Sequence, residues 1–224
     1  MKTVTVKGVC KVSAPVDTVE LSFHLFAKHK DYEKALDAAD KKVSGLEAAL
    51  TSAGFAAADF QTVGFHVNTE YESVRDKNGE YRTVFAGYNC SYDQLLRFDF
   101  NAARLGEALG AVAESKSQPE LQVRFTVREP EKLEKELLRS AAQSARVRAE
   151  VLAEASGKKL GELQRIDYDV TRLNFYSETG MEMADCMPQM ANGAMAKAKR
   201  SFGAALRPQD IELQDTAVFV WELV

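Results

Sequence analysis

Apolar and polar positions alternate through residues 2–11 and again through 17–28, the two-residue period of strands. In the second run Val19, Leu21, Phe23 and Leu25 hold one phase, and Glu20, Ser22 and His24 hold the other. Ser13-Ala14-Pro15-Val16-Asp17 separates the two runs as a turn, with proline fixing φ and aspartate placed to bond nearby backbone. The period then lengthens. Tyr32, Leu36, Ala39, Val43, Leu46 and Leu50 recur at three and four residues and predict a helix over 31–52, with Asp31 as its N-cap and Gly54 just past its end.

Residues 60–73 and 81–98 return to strand character around Asp76-Lys77-Asn78-Gly79, a tight-turn signal, and predict a long hairpin. A helix over 100–115 carries Leu105, Leu109 and Val112 inward, and its Gly106 and Gly110 imply close packing against a neighbour. A short strand over 120–128 sets Leu121, Val123, Phe125 and Val127 on one phase. Pro130 then opens the longest helix, 130–156, which Gly157 ends; Leu133, Leu137, Ala141, Ala145, Leu152 and Ala155 mark its expected buried side. Further strands are expected at 161–174 and 211–223. In the last of these Ile211, Leu213, Ala217, Phe219, Trp221 and Leu223 share a phase that Asp215 interrupts.

Hairpins interleaved with helices predict an α+β fold: a largely antiparallel sheet of about seven strands with three helices packed on one face. Leu36, Leu46, Leu109, Leu137 and Leu152 are its expected core leucines. The 224 residues, 46% apolar and 28% charged, suit one globular domain over 1–224 and argue against a disordered chain. One stretch differs. Residues 177–207 hold five of the six methionines beside Gly180, Pro188, Gly193 and Gly203, without regular periodicity, and read as an excursion from the sheet.

A formal net charge of -4 provides no basic face for a nucleic-acid backbone, so nucleic-acid binding is not expected. No apolar run approaches the roughly 18 residues of a membrane-spanning helix. The first residues hold no apolar signal-peptide core, so the expected location is cytoplasmic as the sequence stands, and periplasmic or envelope-associated if a leader has been removed. Cys10, Cys90 and Cys186 are odd in number and lack CxxC spacing, which fits reduced thiols.

The search for chemistry finds no GxSxG elbow, no GxxxxGK[ST] phosphate loop, no HExxH and no GxGxxG. The expectation is a protein that is not an enzyme and carries no cofactor. His24 and His66 fall on the polar phases of neighbouring strands, with Cys10 on the strand before. In register they would form a nitrogen and sulfur metal site; otherwise they sit apart on a half-exposed sheet face. Met181-x-Met183, Cys186-Met187 and Met190 offer soft donors suited to Cu(I). The competing reading makes Met183, Met187, Met190 and Met195 an adaptable interaction surface, sheltered by contact with another subunit or an unidentified protein. Lys197, Lys199 and Arg200 read as a solvated basic face.

Several short stretches, in order, resemble the SIMPL-domain family. They are Val4-Thr5-Val6-Lys7-Gly8 followed by Ala14-Pro15-Val16-Asp17; Asp59-Phe60-Gln61-Thr62, Asn68-Thr69-Glu70-Tyr71 and Gly87-Tyr88; and Glu129-Pro130 through Ala145-Arg146 and Arg148-Ala149-Glu150 to Gly157-Lys158-Lys159-Leu160-Gly161. The resemblance runs from Thr3 to Val224. It implies the fold, a common bacterial and often periplasmic setting, and associations with envelope or oxidative-stress physiology. It carries over no catalytic residues. Cys10 departs from the family pattern, which usually has a second glycine there. The functional expectation is a non-enzymatic binding or assembly protein that forms a homo-oligomer, with a soft-metal or redox-responsive protein as the alternative.

Overall fold

A computed structural model describes residues 2–75, 80–169, 172–183 and 206–224, with 181–183 described at the backbone. The elements in chain order are β1 (Thr3–Ala14), β2 (Thr18–His29), α1 (Tyr32–Ser52), a single 3-10 turn (Ala57–Asp59), β3 (Phe60–Arg75), β4 (Tyr81–Asp99), α2 (Ala102–Glu114), β5 (Glu120–Thr126), α3 (Pro130–Ala155), β6 (Leu160–Asp167), β7 (Met181–Met183) and β8 (Ile211–Leu223). This is the expected α+β class, and β1–β8, β2–β4, β3–β4, β5–β7 and β6–β8 pair antiparallel. The strands fall into two sheets, where the sequence pattern suggested one. One sheet runs β1-β8-β6 and the other β3-β4-β2-β5-β7. The chain correspondingly divides into two compact units: residues 1–17, 126–178 and 208–224, and residues 18–125 and 179–207.

The first unit is built on close approach. Val6, Gly8, Cys10 and Ala14 of β1 pair with Phe219, Ala217, Asp215 and Ile211 of β8, so these side chains share one face. α3 lies over that face. It meets the sheet through Leu137, Ala141, Ala145, Ala149 and Ala153, one residue every four. Small side chains let the helix backbone come down onto Gly8. A Cβ added to Gly8 would stand well inside the 3.0 Å limit to the Ala141 carbonyl oxygen, and 3.0 Å from the Ala145 Cβ. The Arg148 guanidinium reaches back from the helix and donates to the Lys7 carbonyl (3.0 Å). The leucine expected at position 152 is not part of this contact: Leu152 is 51% exposed, and Ala149 and Ala153 take the buried places. β6 also ends sooner than the expected 161–174, at Asp167.

The second unit buries one face of β2. Val19, Leu21, Phe23 and Leu25 are enclosed, as their phase indicated, together with Leu96 of β4 and Ala35, Ala39, Leu46 and Leu50 of α1. Each fully enclosed leucine or phenylalanine contributes about 1.5–3 kcal/mol relative to an exposed one. Leu36 and Leu109 are only half-buried. Asp31 accepts from the Glu33 amide (3.1 Å) as the N-cap of α1, and Gly54 beyond the helix has φ 90°. α1 is fastened to its sheet by polar contacts as well. Tyr92 donates to Asp40 (2.6 Å), Gln94 to Glu47 (2.6 Å), and Lys42 to the Phe26 carbonyl (2.8 Å).

Candidate interaction surface

Strand lengths create an exposed feature among the described residues of the second unit. β2 has 12 residues, whereas β3 and β4 have 16 and 19. The β2–β4 ladder stops at His29↔Tyr88, but β3 and β4 continue pairing to Arg75↔Tyr81. The hairpin therefore runs on beyond β2 as a two-stranded arm. At its root Glu70 pairs with Gly87 and Tyr71 with Phe85, which leaves Ala86 with no opposite residue, a bulge that bends the ribbon. Gly87 is required there. A Cβ on it would come within 2.8 Å of the His29 carbonyl oxygen at the end of β2. A salt bridge from Lys28 to Glu70 (2.7 Å) ties the root to β2.

The arm and the adjoining part of β3 expose apolar side chains. Antiparallel partners share a face, and the register sets Phe65, Tyr71, Phe85 and Tyr81 on one side. These four expose 45–73% of their surfaces. The rings form a connected run: Tyr71 lies 6.0 Å from Phe85, Phe85 5.2 Å from Tyr88, and Tyr88 5.4 Å from Tyr32 at the start of α1. Val74 and Val84 are exposed as well and lie on the opposite side of the ribbon, while Val63 is exposed at the register shift near the start of β3. The sequence announced this hairpin but not its bareness. The available signal was the mismatch between two long strands and a shorter neighbour.

The anticipated metal residues are dispersed. His24 and His66 lie on β2 and β3 with β4 between them, and the His24 imidazole is engaged by Asp93 (2.6 Å). His66 is exposed opposite Ser91. Cys10 belongs to the other unit and its other sheet. Among the described residues no group of three His, Cys, Asp or Glu side chains is arranged to hold a metal ion. The backbone of Met181–Met183 forms β7, pairing with Leu121–Val123 of β5. Cys186, Met187, Met190 and Met195, with the Lys197, Lys199 and Arg200 cluster, lie outside the described residues.

A polar cluster in the first unit explains the interruption at Asp215. This buried carboxylate accepts from the Tyr168 hydroxyl (2.8 Å) and from the Thr216 amide (2.7 Å). Cys10 donates its thiol to the Asp215 carbonyl (3.2 Å). Burial pushes the Cys10 thiol up from its ordinary value, so it remains protonated near neutral pH and is a poor nucleophile. The Asp215 hydrogen bond, followed by burial, pushes the Tyr168 phenol up to about 12. The cluster is a satisfied buried network with a structural role. It ties Tyr168, just beyond β6, to Asp215 of β8.

Helices laid on antiparallel sheets, with an exposed hairpin and no metal-holding group of His, Cys, Asp or Glu among the described residues, define an α+β protein. The chain belongs to the SIMPL family, described as a protein of unknown function (DUF541), whose family model matches residues 4–221. No curated protein matches it. Among solved structures the chain is similar to an uncharacterized conserved protein from Listeria innocua, at 11% identity over 96% of this chain and 92% of that one, with a TM-score of 0.19. Among the described residues no helix is long and apolar enough to cross a membrane.

Proposed function

We propose that the protein works by binding and self-assembly, without a catalytic step. The observation that carries this reading is the concentration of exposed aromatic surface on the β3–β4 hairpin. Contiguous apolar surface beyond a few hundred Å2 marks an interaction site on a soluble protein. A two-stranded ribbon is also marginally stable alone in water and gains from being covered. Dispersed histidines and a protonated, buried Cys10 give catalysis no comparable support. Size-exclusion chromatography with light scattering tests the reading. The expected mass is a multiple of the 24.8 kDa chain mass. A mass equal to that of one chain at every concentration refutes self-assembly.

A further inference from the structure

We infer that two copies of this chain join through the outer edge of β3, pairing antiparallel so that their sheets become continuous and the aromatic faces of their arms adjoin. This rests on the assembly reading above and names its surface and its partner.

The edges differ sharply in how they are protected. In the three-stranded sheet β1 carries Lys7 and Lys11, and the Lys7 carbonyl is already occupied by Arg148. β6 on the other side has only 8 residues, two register shifts, and Glu162, Arg165 and Asp167. In the five-stranded sheet β7 has 3 residues. Lysines, irregularities and shortness are the ordinary ways of blunting an edge. β3 stands apart. It has 16 residues with neither lysine nor proline, and among the described residues nothing pairs with its outer side. A row of open N–H and C=O groups of that length is satisfied by another strand.

A second copy fits this edge in ladder length and in charge. Phe65, Tyr71, Tyr81 and Phe85 together expose about 400–500 Å2, taking about 200 Å2 for each whole side chain. Edge pairing covers the flanks of these rings where they meet across the new ladder, and the main-chain hydrogen bonds along the edge carry the join. Residues 70–82 carry Glu70, Glu72, Asp76 and Glu80 against Arg75, Lys77 and Arg82. An arm so nearly balanced brings little net charge against its own copy.

The test is amide hydrogen exchange along β3 at high and low protein concentration, alongside the masses of the wild type and the Tyr71→Lys/Val74→Lys variant. Both positions are exposed, one on each side of the strand, and Val151→Lys on the outer face of α3 serves as control. The expected result is β3 protection that rises with concentration, and assembly weakened about 30-fold or more in the double variant, the scale of an interface hot spot. Val151→Lys should assemble normally. An oligomer with concentration-independent exchange in β3, undisturbed by the lysines, overturns this interface but leaves the assembly reading standing. A wild-type protein of one chain's mass at all concentrations overturns both. If the double variant fails to fold, the wild-type exchange data alone decide.

Discussion

Replacing Gly8 with alanine is the smallest change that tests how the first unit is packed. In an ordinary strand this substitution stabilises, because glycine inside regular structure costs about 0.5–1 kcal/mol relative to alanine. Here the added methyl meets the Ala141 carbonyl oxygen, well inside any normal contact, with the Ala141 carbonyl carbon at 3.1 Å. The obstacle is helix backbone in the middle of α3, so no side chain can rotate away. Relief requires α3 to retreat by ~1 Å, and a gap of that size forfeits about a quarter to a half of the dispersion energy along the contact. Overpacking of this kind costs about 1–3 kcal/mol, and a backbone obstacle belongs at the upper end. Subtracting the propensity gain leaves a net loss of about 2 kcal/mol. Urea unfolding followed by Trp221 fluorescence measures it, since this sole tryptophan is buried in β8 of the same unit. Gly8→Ala/Ala145→Gly should remain destabilised, because trimming a side chain leaves the carbonyl in place. A Gly8→Ala protein as stable as wild type, within about 0.5 kcal/mol, refutes the close approach.

Leu137→Ala should cost about 2–5 kcal/mol, whereas Leu152→Ala on the same helix should fall within about 0.5 kcal/mol of wild type; equal losses would contradict the burial of α3. In alkaline spectrophotometric titration Tyr168 and Tyr92 should ionise near 12, held up first by hydrogen bonds to Asp215 and Asp40. Because the folded pKa is raised, the stability these bonds lend is whole below pH 10 and is lost between pH 10 and about 12. Asp215→Asn should bring Tyr168 down toward 10, and an unchanged titration would deny the bond. Joining Tyr176 to Pro208 by a short Gly/Ser linker removes Met181, Met183, Met187, Met190 and Met195 together. With β3 as the joining edge the shortened protein keeps its oligomeric state; loss of assembly with an unchanged circular dichroism spectrum would give that role to the methionine segment.

Local pattern carried much of the fold, and partner choice carried the rest. The phase of Val19, Leu21, Phe23 and Leu25 marks a buried face, and in the α1 stripe Ala39, Leu46 and Leu50 are buried while Leu36 and Val43 are half-buried and Tyr32 is exposed. Nothing local shows that β1 pairs with β8 while β2 pairs with β4, so the short turn between β1 and β2 gives no sign that they lie in different sheets. On α3 a hydrophobicity ranking favours Leu152, yet contact against Gly8 selects by volume, and alanines win. Asp215 looked like a flaw in β8 because its partner Tyr168 is 47 residues away. For the candidate surface, periodicity located the hairpin but is blind to what covers it. Exposure of Tyr71, Tyr81 and Phe85 follows from the shorter β2, a comparison between strands that no single window contains.

Self-association through an open edge predicts a mass that responds to dilution. Sedimentation velocity over a wide dilution series measures this most directly, because it separates species without a matrix. The expected record is a faster-sedimenting species giving way to a single boundary at 24.8 kDa as the protein is diluted. A lone 24.8 kDa boundary throughout, including the highest concentration, would contradict it.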